Sequence, residues 1–221
     1  MPDISISTLD IPEENAVDYF YNLETAKPDY FHVDVMDGEF VALENVKKQE
    51  DYALKINTIT MTPYEVHLMT TNPRYFLDYF IDNGADRIIF HAESCKNKDD
   101  CLDIIKYLIE NGVKVGVAIN PDTSFEKLYE VLPYIHMVLV MTVVPGAGGQ
   151  SFKSELLDKI KDLREYLNKN DLDIDIEVDG GINKETSKQS VEAGANVLVS
   201  GSYVLKSEDF KNAIQDLKGE E

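Results

Sequence analysis

An α/β chain closed into a (β/α)8 barrel, the TIM-barrel architecture, is predicted over residues 1–221 as one domain. Two observations predict it. Eight short β-rich runs alternate with longer segments of helical apolar spacing, and no low-complexity linker interrupts the alternation. Shared among eight units, the 221 residues leave about 28 per unit, a compact barrel. A doubly wound open sheet is the competing architecture, but it more often uses fewer strands. Either fold puts function at the carboxyl ends of the strands.

The first strand is read at 3–8 (DISIST), and ENAVDYFYNLETA follows with helical spacing. In the second, YFHVDVM (30–36), Val33 and Val35 lie on one face and His32, Asp34 and Met36 on the other. Residues 41–57 carry no clear pattern. The third strand, YEVHLM (64–69), repeats the layout: Val66 and Leu68 oppose Glu65, His67 and Met69. PRYFLDYFIDNG is helical in spacing and stops at Asn83-Gly84. In the fourth strand, RIIFHA (87–92), His91 shares a face with Ile89 and Glu93; the helix DDCLDIIKYLIENG then stops at Asn111-Gly112. KVGVAIN (114–120) and MVLVMTV (137–143) are the fifth and sixth strands, and SELLDKIKDLREYLNKN is the helix after the sixth. In the seventh, IDIEVDG (174–180), Ile174, Ile176 and Val178 oppose Asp175, Glu177 and Asp179. A helix stop at Ala193-Gly194 precedes the eighth, NVLVSGS (196–202).

The formal charge is −20, from 41 acidic and 21 basic residues. That excess speaks against nucleic acid, whose phosphates are held by clustered Lys and Arg, and against an anionic membrane surface. No apolar run is long enough to span a bilayer, and MPDISIST lacks the features of a secretory signal. Cys95 and Cys101 match no metal or redox spacing, so a reduced, cytoplasmic protein is expected. A phosphate ester bound by so acidic a chain needs a local attraction rather than bulk charge.

In a barrel, alternate strand residues face the helices and the interior. The valines of the second strand suit the outer layer, which turns His32, Asp34 and Met36 inward. His32, His67 and His91 then lie toward the carboxyl halves of strands, whereas His136 precedes a strand and reads as structural. Burying His32, Asp34, His67 and Asp179 together costs roughly several kcal/mol per group unless they pair or bind a metal. Two imidazoles and two carboxylates suit one divalent transition ion such as Zn, Fe, Mn or Co. Only the barrel brings these residues together, because they come from three separate strands. Glycine clusters mark three consecutive strand ends: Gly146-Ala147-Gly148-Gly149, Gly180-Gly181, and Gly201 with Ser202. Backbone N–H groups there can hold a phosphate without a cationic side chain.

HVDVMDGEFV (32–41), EVHLM (65–69), MTVVPGAGGQSF (141–152), EVDGGI (177–182) and VSGS (199–202) resemble the ribulose-phosphate 3-epimerase family, in matching order. The resemblance spans nearly the whole chain. It implies a ribulose-phosphate-binding type of (β/α)8 barrel that interconverts D-ribulose 5-phosphate and D-xylulose 5-phosphate. It implies one divalent metal held by His32, Asp34, His67 and Asp179, with Asp34 and Asp179 as the acid/base pair. Removing the carbon-3 proton and returning it from the other face needs a carboxylate on each side of an enediolate. Implied substrate contacts are Ser5, His67, Gly146, Ala147, Gly148, Gly149, Asp179, Gly180, Gly181, Gly201 and Ser202. Met36, Met69 and Met141 match site-lining methionines, with core filling as the alternative. The expected partners are a small phosphorylated ketose and further copies of the chain, with no nucleic acid and no membrane.

The sequence departs from the family pattern at Ala42–Asn45, Val144, Ala147 and Ser7-Thr8-Leu9. These changes spare the metal and acid/base positions and bear on the covering loop, so D-allulose 6-phosphate is the leading alternative substrate. A decarboxylase of the orotidine-phosphate group would use Asp-x-Lys-x-x-Asp, where this chain has Met36. A sugar-phosphate-binding barrel without turnover would need no carboxylate on each face.

Overall fold

The computed structural model describes residues 1–220. Its strands are β1 (Asp3–Ser7), β2 (Tyr30–Met36), β3 (Tyr64–Met69), β4 (Arg87–His91), β5 (Lys114–Ile119), β6 (Met137–Met141), β7 (Asp175–Asp179) and β8 (Val197–Ser200). All are parallel and pair in chain order, and the barrel closes where β8 meets β1, with Ser5 opposite Val199. β2 and β3 coincide with the expected spans; the others fall one or two residues inside theirs.

Around the barrel lie α1 (Ala16–Ala26), α2 (Val46–Ile59), α3 (Arg74–Asp82), α4 (Lys98–Glu110), α5 (Leu157–Lys169), α6 (Lys184–Ala193), α7 (Ser202–Leu205) and α8 (Phe210–Lys218). α2 fills the connection that had no clear pattern. One unit departs from the expected repeat. Between β5 and β6 there is no α-helix, only 3-10 turns at Phe125–Leu128 and Leu132–Tyr134.

The outward strand residues, among them Val33, Val35, Val66, Leu68, Val115, Val117, Ile176 and Val178, are fully buried in the main core beneath the helices. Inside the barrel the two halves differ. Ile89, Ala118, Met137, Leu139, Met141, Val143 and Val197 form a separate apolar cluster toward β4–β6 and β8. β1, β2, β3, β4 and β7 also supply buried Ser5, Ser7, His32, Asp34, Glu65, His67, Arg87, His91 and Glu177. Ionisable groups thus crowd the β1–β4 and β7 side of the interior, while β5 and β6 fill the rest with apolar side chains.

Caps hold the loops near that side. Asn183 opens α6 with a capping box: its Oδ1 accepts from Glu185 N and Thr186 N, and Thr186 Oγ1 accepts from Asn183 N. Asn45, ahead of α2, donates Nδ2–H to Asp34 O and accepts from Met36 N through Oδ1, tying that loop to the end of β2.

Candidate active site

Strand register assembles the site. β2–β3 pairing sets Asp34 opposite His67 and His32 opposite Glu65, while β6–β7 pairing sets Met141 opposite Asp179. His32 Nε2 lies 3.4 Å from Asp34 Oδ1 and 4.0 Å from Asp179 Oδ2. His67 Nδ1 lies 3.2 Å from Asp34 Oδ1 and 3.6 Å from Asp179 Oδ2. A tetrahedral ion with bonds of ~2.1 Å separates its ligand atoms by roughly 3.4 Å, close to these spacings. His32 Nε2 is also buried without a hydrogen-bond partner. A bare imidazole nitrogen facing two carboxylate oxygens has the surroundings of a metal ligand, so the donor set fits a divalent cation. Burial raises the Asp34 carboxyl, but the His32 charge and then His67 outweigh it and hold it below the usual range.

A second polar layer lies beneath. Glu65 Oε1 accepts from Ser5 Oγ at 2.5 Å and contacts His32 Nδ1 at 2.9 Å, while Glu65 Oε2 takes Arg87 NH1 at 2.9 Å. Burial raises the Glu65 carboxyl, but His32 and Arg87 bring it down to about 2. Glu177, with two buried oxygens lacking a hydrogen-bond partner, goes the other way: burial and the charge of Glu65 push it well above the usual range. The environment therefore favours the charged form of Glu65, beside Arg87, and the neutral form of Glu177.

Above the cluster opens a cavity of about 600 Å³, counting its mouth. Asp34 and Asp179 line it together with Met36, Met69 and Met141, so the methionines border the cavity rather than only filling core. Gly146, Ala147, Gly148, Gly149, Gly180, Gly181, Gly201 and Ser202 line it as well. Gly181 has φ +70°, and a Cβ there would lie 2.5 Å from Phe152 N, so only glycine allows this turn after β7.

Ser5 and His67, two expected substrate contacts, are not among the residues that line the cavity. Ser5 points to the layer beneath, spent on Glu65, and does not line the cavity; Ser7, one inward step further along β1, does, and donates Oγ–H to Asp34 Oδ2 at 2.6 Å. His67 is fully buried behind the two aspartates. His136 sits at the opposite end, accepting Val115 N–H through Nδ1 at 3.1 Å. The departing loop after β2 is pinned: Asp37 Oδ1 accepts from Glu39 N and Phe40 N, and Phe40 packs on His91 with ring centres 4.7 Å apart.

Glu65, Glu177 and His91 were expected to face inward but, like Arg87, were not expected as site residues. Arg87 shares strand parity with His91, so an inward arginine was legible as a pattern. Its partner was not, because the β3–β4 register decides it.

Fold and site together define a (β/α)8-barrel enzyme with a buried two-histidine, two-aspartate cluster beneath a glycine-rimmed cavity. The family model described as "Ribulose-phosphate 3 epimerase family" matches residues 3–205, and the chain belongs to that family. It is 40% identical over 199 residues to the ribulose-phosphate 3-epimerase of Bacillus subtilis, covering 90% of this chain and 89% of that one. To the ribulose-phosphate 3-epimerase of Methanocaldococcus jannaschii it is 40% identical over 195 residues, covering 88% and 80%. Among solved structures, 3-keto-L-gulonate-6-phosphate decarboxylase from Vibrio cholerae superposes with a TM-score of 0.74 at 14% identity, over 99% of this chain and 96% of that one. That last likeness is one of fold. Among the described residues, no helix is long and apolar enough to cross a membrane.

Proposed function

We propose that this chain, acting as one domain, inverts carbon 3 of a ketose phosphate and interconverts D-ribulose 5-phosphate and D-xylulose 5-phosphate. The observation that carries the reading is the pair Asp34 and Asp179. They reach one cavity from β2 and β7, strands separated by β8 and β1, with candidate ligand oxygens within 4.8 Å of each other. Carboxylates arriving from two sides suit removal of a proton from one face of carbon 3 and its return on the other. His32, Asp34, His67 and Asp179 would hold one divalent cation (Zn, Fe, Mn or Co), which when bound stabilises negative charge developing on the substrate oxygens. Ser7 orients Asp34 by donating to Oδ2, so that Oδ1 turns toward the imidazoles. The three methionines give an uncharged wall that excludes water. N–H groups of the 146–149 loop, Gly180-Gly181 and Gly201-Ser202 would receive the phosphate.

Membership of the family supports this substrate over D-allulose 6-phosphate, and Met36 in place of a lysine opposes a decarboxylase. The substrate is a small phosphorylated ketose, met in the cytoplasm by a homo-oligomer; light scattering tests the assembly. The reaction is tested by supplying each cation to metal-stripped protein and measuring xylulose 5-phosphate formed from ribulose 5-phosphate, with allulose 6-phosphate alongside. In D2O, deuterium should enter at carbon 3. Loaded, folded protein that produces neither xylulose 5-phosphate nor exchange refutes the proposal, and a preference for allulose 6-phosphate reassigns the substrate.

A further inference from the structure

We propose that His91 and Glu93 are positioning residues for the metal centre: the chain Glu93–His91–His67 fixes which nitrogen of His67 carries its proton. The inference rests on the metal reading above. His67 turns Nδ1 toward Asp34 and Asp179, at 3.2 and 3.6 Å, so Nδ1 is the nitrogen a cation would take. A ligating imidazole nitrogen carries no proton, which places the ring's proton on Nε2.

That Nε2 lies 2.9 Å from Nε2 of His91, with the ring planes 22° apart and the ring centres 5.0 Å apart, so the rings meet edge to edge. Two imidazole nitrogens at hydrogen-bond distance share one proton between them. With His67 Nε2 donating, His91 Nε2 accepts, and the proton of His91 lies on Nδ1. There it faces Glu93 Oε2 at 3.3 Å. An ionised carboxylate can only accept, so the chain is set from that end. Glu93 is fixed in turn: its Oε1 accepts from Asn120 N–H at 2.9 Å and from the Thr123 hydroxyl, both on the connection after β5.

The reverse assignment fails at both ends. A proton on His91 Nε2 would leave bare Nδ1 against the Glu93 carboxylate, two acceptors facing each other. It would also force the His67 proton onto Nδ1, where the cation belongs. His32 uses a shorter version, with Nδ1 on Glu65 and Nε2 left for the cluster. The two histidines thus present opposite ring nitrogens, each chosen by a carboxylate behind it.

The test compares parent, His91→Phe and His91→Gln by side-chain 15N NMR of the zinc-loaded protein and by zinc affinity in chelator competition. In the parent, His67 should be protonated on Nε2 and His91 on Nδ1. His91→Phe should shift the His67 Nε2 resonance away from its hydrogen-bonded position and lower zinc affinity about 10–100-fold. His91→Gln keeps an oxygen for His67 and an N–H for Glu93, and should restore most of both readouts. Parent-like zinc affinity and a parent-like His67 Nε2 resonance in the Phe variant would overturn the proposal. So would equal losses in both variants that follow the thermal stability of the metal-free protein, the pattern of a packing role. A parent that binds no zinc would refute the metal reading instead. In a parent that does bind zinc, a His91 protonated on Nε2 would overturn the relay.

Discussion

Arg87→Met should destabilise the metal-free protein by about 3–5 kcal/mol, the usual result of removing one partner of a buried ion pair. The Arg87 and Glu65 side chains are 4% and 0% exposed, and NH1 and Oε2 are 2.9 Å apart. Methionine preserves most of the length and apolar stem, so lost packing is a small part of the effect. The contact of NH2 with half-exposed Asp175 at 3.6 Å contributes little, at most about 1 kcal/mol. Stacking over Tyr30, 5.1 Å from its ring centre, adds roughly 0.5–1 kcal/mol. What dominates is Glu65 left ionised in the barrel interior beside Glu177. At about 2–4 °C per kcal/mol for a chain of this size, the melting temperature should fall by about 6–20 °C. Thermal and urea unfolding of parent, Arg87→Met, Glu65→Gln and the double variant close a cycle, in which removing both charges should recover a coupling of about 2–3 kcal/mol. A loss below about 1 kcal/mol for Arg87→Met, or simple additivity in the cycle, would refute a desolvated Glu65 neutralised by Arg87.

Asp34→Asn and Asp179→Asn should each lower turnover by about 10²–10⁴ while the far-UV spectrum stays unchanged; a variant keeping most of its turnover contradicts the two-carboxylate scheme. Gly181→Ala places a methyl 2.5 Å from Phe152 N and should displace the turn after β7, reducing kcat/KM by about 10²-fold; unchanged kinetics would mean that this turn does not position the substrate. Burial raises the Glu93 carboxyl, but His91, Thr123 and the Asn120 N–H bring it down to about 2. Because this folded value lies below the unfolded one, the group stabilises the protein above about pH 4.3 and loses that contribution as pH falls toward 2, on the order of 2 kcal/mol. Acid unfolding followed by circular dichroism should therefore be shallower in Glu93→Gln, and parallel curves would contradict the assignment.

The strands were legible because their alternation is strong: valines against helices on one face, ionisable residues and methionines on the other. α2 was not, because it buries Gln49 beside Tyr52, Ala53 and Ile56, and Gln49 Oε1 accepts from the Thr8 hydroxyl. A helix that meets the core through an amide has no clean apolar stripe. His32, Asp34, His67 and Asp179 could be grouped from strand parity and barrel closure. Parity could not distinguish Ser5 from Ser7, since the two share a face and differ by one layer of depth. Nor could it find the contact between His67 and His91, which depends on the meeting of two ring edges.

The ladder between β1 and β8 joins residues 3–6 to residues 197–200. Until that seam forms, β1 and β8 each have only one hydrogen-bonded neighbour, and the unclosed sheet presents two free edges able to pair with another chain. The joined segments lie near opposite ends of the sequence, so the seam carries the largest loop-closure entropy in the sheet. During synthesis, the first strand must wait for the last before the sheet is sealed. Asp34 and Asp179, on strands flanking that seam, reach their final separation only when it closes.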